Sequence, residues 1–245
     1  MTMTEGYDFY DEEAVFDRYI ARRERADNPN DTIEAPVFMT LMGDFQGSVI
    51  LDLGCGAGGF GVQLLTEGCK SYIGLEASAR MFALAQPALS AVNGEVHQVS
   101  IEDWTYPAET FDRVVSRLVL HYIDDVQALF KKVYTTLKPG GHFIFSVEHP
   151  VITSSNAAAS TSGLRQQWIV DDYFVRGRRN VTWMDSEVIK YHRTVEDYFM
   201  GLQDAGFSVN AIREPQPQRE MIADETLYRR RQRIPLFLLL SGQRV

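Results

Sequence analysis

The chain has 245 residues, 45% hydrophobic and 23% charged, a globular composition with length enough to bury a full core. The formal net charge of −9 argues against nucleic acid as the main partner, since a phosphate-binding protein needs a basic face, and favours a small molecule. No apolar run approaches the roughly 18 residues of a membrane span, and the polar, acidic segment 1–13 does not read as a signal peptide. Two cysteines, Cys55 and Cys69, are too few for a disulfide framework or a zinc site, so a reduced, cytoplasmic protein is expected.

Residues 1–45 read as one or two helices and a loop, rich in aromatics at Tyr7, Phe9, Tyr10, Phe16 and Tyr19. Short β-rich apolar runs follow at 49–53, 72–75, 96–99, 113–116, 143–147, 208–212 and 235–240, alternating with helical patterns. This order predicts a mostly parallel sheet covered on both faces. The helix after Ser78 has the stripe Met81, Leu84, Ala85 and Ala88, but Pro87 is expected to kink or end it. Val126, Leu129, Phe130, Val133 and Leu137 recur at helical spacing after a cap at Asp124 or Asp125. That helix is expected to stop at the Lys-Pro-Gly-Gly turn of 138–141.

Residues 151–190 form a long insertion, opening with a small polar stretch at 153–163 and continuing with Trp168, Tyr173, Phe174, Trp183 and Met184. A helix starts at Thr194, with Asp197 in the capping-box position, and stops at Gly206. The last two apolar runs suit an antiparallel pair on one sheet edge. The basic run Arg229, Arg230, Arg231 and Arg233 reads as a solvated lead-in to the final strand.

The chemistry concentrates at 49–59, Val-Ile-Leu-Asp-Leu-Gly-Cys-Gly-Ala-Gly-Gly, where an apolar strand turns through glycines into a helix. Glycines let a ligand approach the backbone, and the helix start offers it amides and a positive dipole end. Gly54, Gly56 and Gly59 also satisfy the dinucleotide spacing, which leaves a nicotinamide oxidoreductase open. Against it, Asp52 would repel a pyrophosphate and suits a ligand carrying an ammonium group. Glu76, ending the second strand, is fitted to accept hydrogen bonds from ribose hydroxyls, as either cofactor requires.

The segments 52–58, 74–78 (Gly-Leu-Glu-Ala-Ser), 111–116 (Phe-Asp-Arg-Val-Val-Ser) and 137–141 (Leu-Lys-Pro-Gly-Gly) resemble the successive motifs of class I S-adenosylmethionine-dependent methyltransferases. Within that superfamily the chain is similar to the small-molecule group related to quinone-biosynthesis methyltransferases, strongly over 45–150 and more loosely over 190–245. The resemblance implies a Rossmann-like, seven-stranded, mostly parallel sheet with helices on both faces and an antiparallel C-terminal strand. It implies one domain, 1–245: an N-terminal helical lid (1–45), a cofactor-binding core (46–150), a substrate-cap insertion (151–190) and a C-terminal helix and strand pair (191–245).

By the same resemblance, Asp52 with the backbone of Gly54, Cys55 and Gly56 would hold the methionine moiety of S-adenosylmethionine. Glu76 would bind the ribose beside Ala77 and Ser78, and Met81 would pack on the adenine. The backbone of Ile101 would reach the ring. Ser100 stands where the family often has an acid, so Glu102 is a candidate to compensate. Arg117 falls where the family lines the pocket near the sulfonium. Apart from the resemblance, the aromatics of the N-terminal segment and of 168–184 read as a lid over the cofactor, which puts Tyr19 and Arg23 near its carboxylate end.

For a general base, His149 follows the fifth strand and titrates near neutral pH. His192 is the second candidate; His121 reads more as packing, and His97 and His142 as structural. The sequence contains no metal-ligand cluster. It leaves open O, N or C as the methylated atom, and a protein that binds the cofactor without catalysis.

Overall fold

The computed structural model describes residues 6–155 and 167–245; of the small polar stretch, positions 156–163 lie outside them. In chain order the strands are β1 Val49–Leu53, β2 Ser71–Glu76, β3 Glu95–Gln98, β4 Phe111–Arg117, β5 Leu137–Glu148, β6 Gly177–Trp183, β7 Ser186–His192, β8 Phe207–Arg213 and β9 Phe237–Arg244. The helices are α1 Gly6–Asp11, α2 Glu13–Arg23, α3 Ala35–Met42, α4 Gly59–Thr66, α5 Ala79–Ser90, α6 Val126–Thr136, α7 Pro150–Thr153, α8 Val195–Asp204 and α9 Glu225–Arg231. Each of the seven apolar runs forms a strand of one sheet, ordered β3-β2-β1-β4-β5-β9-β8. The pairs among β1 to β5 are parallel, and β9 runs antiparallel to both β5 and β8. This is the Rossmann-like sheet expected, with the antiparallel pair at its edge.

Successive residues of a strand face opposite sides, so runs that are apolar throughout feed two cores. Leu51, Val114, Phe143, Phe145 and Leu240 pack on one face with Leu129 and Phe130 of α6 and Leu202 of α8. Ile50, Val115, Ile144 and Leu239 pack on the other with Phe38 of α3, Leu64 of α4 and Leu89 of α5. Each such fully buried side chain contributes about 1.5–3 kcal/mol, which is why this pattern prevails over local breakers. Pro87 does not end α5, which runs on to Ser90. Pro87 and Ala83 lie on the exposed face, where the carbonyl deprived of its amide partner is solvated. Leu137, expected on the α6 stripe, instead begins β5 opposite Phe111, and the Pro-Gly-Gly segment lies within the strand at a shift of register. Thr194 and Asp197 form the expected reciprocal capping box of α8.

The insertion holds a hairpin that its sequence concealed. Strands β6 and β7 pair only with each other, around Met184 and Asp185 at φ 53° and 58°. A two-residue turn with positive φ at both positions is ordinarily signalled by Asn-Gly, and Met-Asp carries no such signal. The hairpin meets the N-terminal segment in a small core of Phe9, Val15 and Val188, with Tyr10, Tyr122, Val181 and Trp183 against it. No helix among the described residues is long and apolar enough to cross a membrane.

Candidate active site

β1 ends at Leu53 and the chain turns through Gly54, Gly56 and Gly58, at φ 82°, 57° and 80°, into α4. These left-handed conformations are cheap for glycine alone. A Cβ on Gly54 would meet Val119 Cγ2 at 2.4 Å, whereas one on Gly56 would meet nothing within 4 Å. The open side of Gly56 faces a cavity of about 1200 Å³. Glu76, closing β2, accepts the Gly56 amide at Oε2 (2.8 Å) and the Ser78 amide at Oε1 (2.9 Å). It thereby fastens the glycine loop to the turn that opens α5. Burial pushes its carboxyl up to about 7, against the pull of those two amides.

Asp52 is corrected by the structure. Its side chain does not project into the cavity but lies beneath the loop, 2% exposed, where Oδ2 accepts the Tyr72 hydroxyl at 2.7 Å. Its other oxygen, Oδ1, is buried with no hydrogen-bond partner. Burial raises the carboxyl to about 6, although Tyr72 opposes this. Cys55 and Ser78 also lie off the cavity wall. The buried Cys55 thiol points at its neighbour's carbonyl, and Ser78 caps α5 by accepting the Met81 amide while donating to Asp11 Oδ1 at 2.6 Å. Asp11, the last residue of α1, accepts the Ala79 and Arg80 amides as well, so the N-terminal segment is fixed to the first turn of α5.

The cavity wall does include Tyr19, Arg23, Gly54, Gly56, Glu76, Ala77, Met81, Ser100, Ile101, Glu102 and Arg117. The Ser100 hydroxyl is occupied by Asp103, donating to Oδ2 at 2.8 Å. Arg117 is paired with Glu34, a fully buried acid in a single π-helical turn at Asn30–Glu34, and its guanidinium lies over the Phe38 and Phe60 rings at 5.4 and 4.8 Å. Glu34 also accepts the Ser146 hydroxyl at 2.7 Å, so it neutralises this cation from below.

Neither histidine proposed as a base reaches the cavity. His149, 3% exposed, caps α7 through the Val151 amide and turns Nε2 to Glu214 at 2.7 Å. His192 is fully buried between the Thr153 hydroxyl and the Tyr173 carbonyl. His149 alternates with Glu148 and caps α7 instead, while His192, on the same face of β7 as Lys190 but two residues further along, is taken up by Thr153 and Tyr173 beyond the cavity wall. His121 does line the cavity, but burial lowers it to about 3, so it stays neutral.

Glu148 and Lys190 are the site residues that sequence reading missed. Lys190 Nζ sits 2.7 Å from Glu148 Oε1, 5.1 Å from the Trp183 ring and 5.6 Å from the Tyr122 ring, with the lysine 2% exposed. Burial alone would raise the Glu148 carboxyl, but Lys190 more than reverses this and holds it below the ordinary range; burial likewise opposes the Lys190 charge, and Glu148 restores it. The signal lay in the alternation Val188, Lys190, His192, which puts a lysine on an inward face.

A seven-stranded sheet with this switch point, a glycine turn at the end of β1 and an acid ending β2 defines an adenosyl-cofactor enzyme of the Rossmann-like class. The residues fit S-adenosylmethionine: Gly56 offers an open backbone, Glu76 keeps lone pairs for a ribose, and the unpartnered Asp52 Oδ1 supplies negative charge under the loop. A methyltransferase-domain family model matches residues 51–145. An S-adenosylmethionine-dependent methyltransferase from Mesorhizobium loti is 33% identical, covering 91% of this chain and 100% of that one, with a TM-score of 0.79. A Listeria monocytogenes protein provisionally given the same description is 35% identical over 86% of this chain and 96% of its own, also at 0.79. Phosphoethanolamine N-methyltransferase 2 of Caenorhabditis elegans is 33% identical over 109 residues, 43% of this chain and 25% of that protein. The chain belongs to the S-adenosylmethionine-dependent methyltransferases. It is an enzyme whose cofactor is S-adenosylmethionine, which resolves the choice that the glycine spacing had left with a nicotinamide cofactor.

Proposed function

We propose that this methyltransferase acts on a small molecule held between the N-terminal segment and the β6–β7 hairpin, which serve as lid and cap, and that it works in the cytoplasm. The observation that carries this is one continuous cavity of about 1200 Å³, running from Gly56 and Glu76 to Glu148, Lys190 and Trp183. Pockets for a single ligand span about 300–1,000 Å³, so the space suits a cofactor and an acceptor together. S-adenosylmethionine, when bound, supplies a methyl group on a positively charged sulfur that leaves readily.

In this reading Gly54 and Gly56 hold the methionine portion by their backbones, with Asp52 giving negative charge from beneath. Glu76 takes the ribose, and Ala77, Met81, Ser100, Ile101 and Glu102 surround the adenine. Tyr19 and Arg23 face the carboxylate; one Arg23 nitrogen, Nη1, is buried without a partner, while Nη2 pairs with Asp31. Glu148 accepts a hydrogen bond from the acceptor's O–H or N–H and aims its lone pair at the methyl carbon. A carboxylate held below its usual range is a weak base, so orientation carries most of the rate; good alignment is worth about 7–11 kcal/mol. Lys190 keeps Glu148 ionised and fixed.

The test is methyl transfer to a broad panel of small molecules, followed by release of S-adenosylhomocysteine, with wild type and Glu148→Gln. The expected result is turnover by wild type and a fall of about 10²-fold or more in kcat for the variant, with S-adenosylhomocysteine affinity unchanged within about twofold. Methylation of protein or nucleic acid only, or full activity of Glu148→Gln, would overturn the reading.

A further inference from the structure

The charge of the cavity is not that of the chain. The protein as a whole is acidic, at −9, yet the cavity wall gathers Arg22, Arg230 and Arg231. Arg231 is 8% exposed and directs donors to the Thr32 hydroxyl (3.1 Å) and the Asp27 carbonyl, and no carboxylate among the described residues pairs with it. The nearby Asp27 carboxylate is taken by Arg25, at 2.9 Å. The Arg22 carbonyl accepts from Asn28, but its guanidinium has no hydrogen-bond or ion-pair partner among the described residues. It lies within electrostatic reach of Glu148, Lys190 and Arg231, and so stands between the proposed reacting end and the arginine wall. Burial lowers the Arg231 guanidinium, Asp27 offsets this in part, and Arg230, Arg22 and Arg25 add to the lowering. Like charges gathered on a partly buried wall repel, and an anion between them removes that cost.

The cofactor's own carboxylate does not account for this cluster. Consecutive helical residues project about 100° apart, so Arg22 and Arg23 of α2 serve different ends of the cavity. Arg23 and Tyr19 interact electrostatically, and Tyr19 in turn with Glu76 and Arg117, which is the cofactor end. Arg22 instead reaches Glu148 and Lys190 electrostatically. The rings of Tyr122 and Trp183 also line the cavity and suit an apolar, planar body.

The geometry points to an anionic acceptor: a molecule bearing a carboxylate or phosphate that docks on Arg22, with Arg230 and Arg231 adding positive charge beside it, and with its nucleophilic atom at Glu148. A guanidinium fork matches both anions in two-pronged fashion. The inference rests on the small-molecule reading above and names the class of molecule within it.

The test uses the full chain saturated with S-adenosylhomocysteine and titrates it calorimetrically with 4-hydroxybenzoate, phenyl phosphate and inorganic phosphate, against the neutral 4-hydroxybenzamide and phenol. At least one anion is expected to bind about tenfold or more tighter than its neutral counterpart, the effect of one charge-assisted hydrogen bond. Arg22→Gln should abolish that preference and Arg22→Lys should retain part of it, both leaving S-adenosylhomocysteine affinity within about twofold. The better of benzoate and phosphate names the anion. Neutral probes binding as well as the anions, or no binding of any anion, overturns the inference. So does an Arg22→Gln variant that loses S-adenosylhomocysteine instead, because the cluster then serves the cofactor. Failure of wild type to bind S-adenosylhomocysteine at all would strike the methyltransferase reading and not this one.

Discussion

Cofactor binding should tighten as pH rises from 6 to 8, because two buried carboxyls must ionise for it. Glu76 is held up to about 7 and Asp52 to about 6 in the cofactor-free protein, burial being the main cause for both. Ribose hydroxyls donate to Glu76 and an ammonium group favours negative charge at Asp52, so the ligand selects the ionised forms. At pH 6 about one-tenth of Glu76 and about half of Asp52 carry charge; at pH 8 nearly all of both do. If only the doubly ionised form binds, affinity at pH 6 falls by roughly 10–20-fold, the reciprocal of the competent fraction. Calorimetric titration with S-adenosylhomocysteine at pH 6, 7 and 8, each in two buffers of different ionisation enthalpy, reads both the dissociation constant and the protons released. More than one proton per ligand should leave at pH 6 and few at pH 8. A dissociation constant flat across this range, with no buffer-dependent heat, would refute the reasoning.

Three further outcomes are expected. Asp52→Asn should trade affinity for stability: a carboxyl moved from its ordinary 3.8 to about 6 opposes folding once ionised, on the order of 3 kcal/mol. Chemical denaturation of the cofactor-free protein should therefore show no Asp52 penalty below about pH 4, one that grows between about pH 4 and 6, and a constant one above, so that the variant gains on wild type from pH 4 to 6 and keeps that lead towards pH 8; parallel stability curves between pH 4 and 6 would contradict this. Gly56→Ala should fold, at a cost of about 1–2 kcal/mol for the left-handed conformation, and lose S-adenosylhomocysteine, while Gly54→Ala should lose further stability by driving a methyl into Val119; thermal melts and calorimetry separate the two. Glu34→Gln leaves the half-buried Arg117 without the carboxylate beneath it and should destabilise by about 2–3 kcal/mol, less than for a fully buried pair, read from urea unfolding; a loss under about 1 kcal/mol would mean the pair is dispensable.

The sheet was legible because its strands are apolar on both faces and the glycine and Lys-Pro-Gly-Gly segments punctuate them. The proposed adenosyl end was legible because it is made of short local motifs: Gly54, Gly56, Glu76, Ala77 and Met81 all line the cavity. Asp52 was located in sequence but not in direction, since one carboxylate at a strand end can face a ligand or lie beneath it. The acceptor end was hidden. Glu148 and Lys190 are 42 positions apart and meet only because the β6–β7 hairpin folds back over the end of β5. Its turn uses Met184 and Asp185 in a conformation that neither residue advertises. The histidines attracted attention by residue type, but His149 turns to Glu214, and His192, on the face of β7 that carries Lys190, is taken up by Thr153 and Tyr173 at the strand end.

Asp11 completes a helix to which it does not belong. The amides of Ala79 and Arg80, at the start of α5, are satisfied by a carboxylate from α1, and Ser78 bridges that carboxylate to the turn held by Glu76. Lifting the N-terminal segment therefore hands those two amides to water and leaves Ser78 alone, on Met81, to cap α5. If product leaves by that route, how long it stays bound depends on a local unfolding free energy as well as on the contacts the product makes.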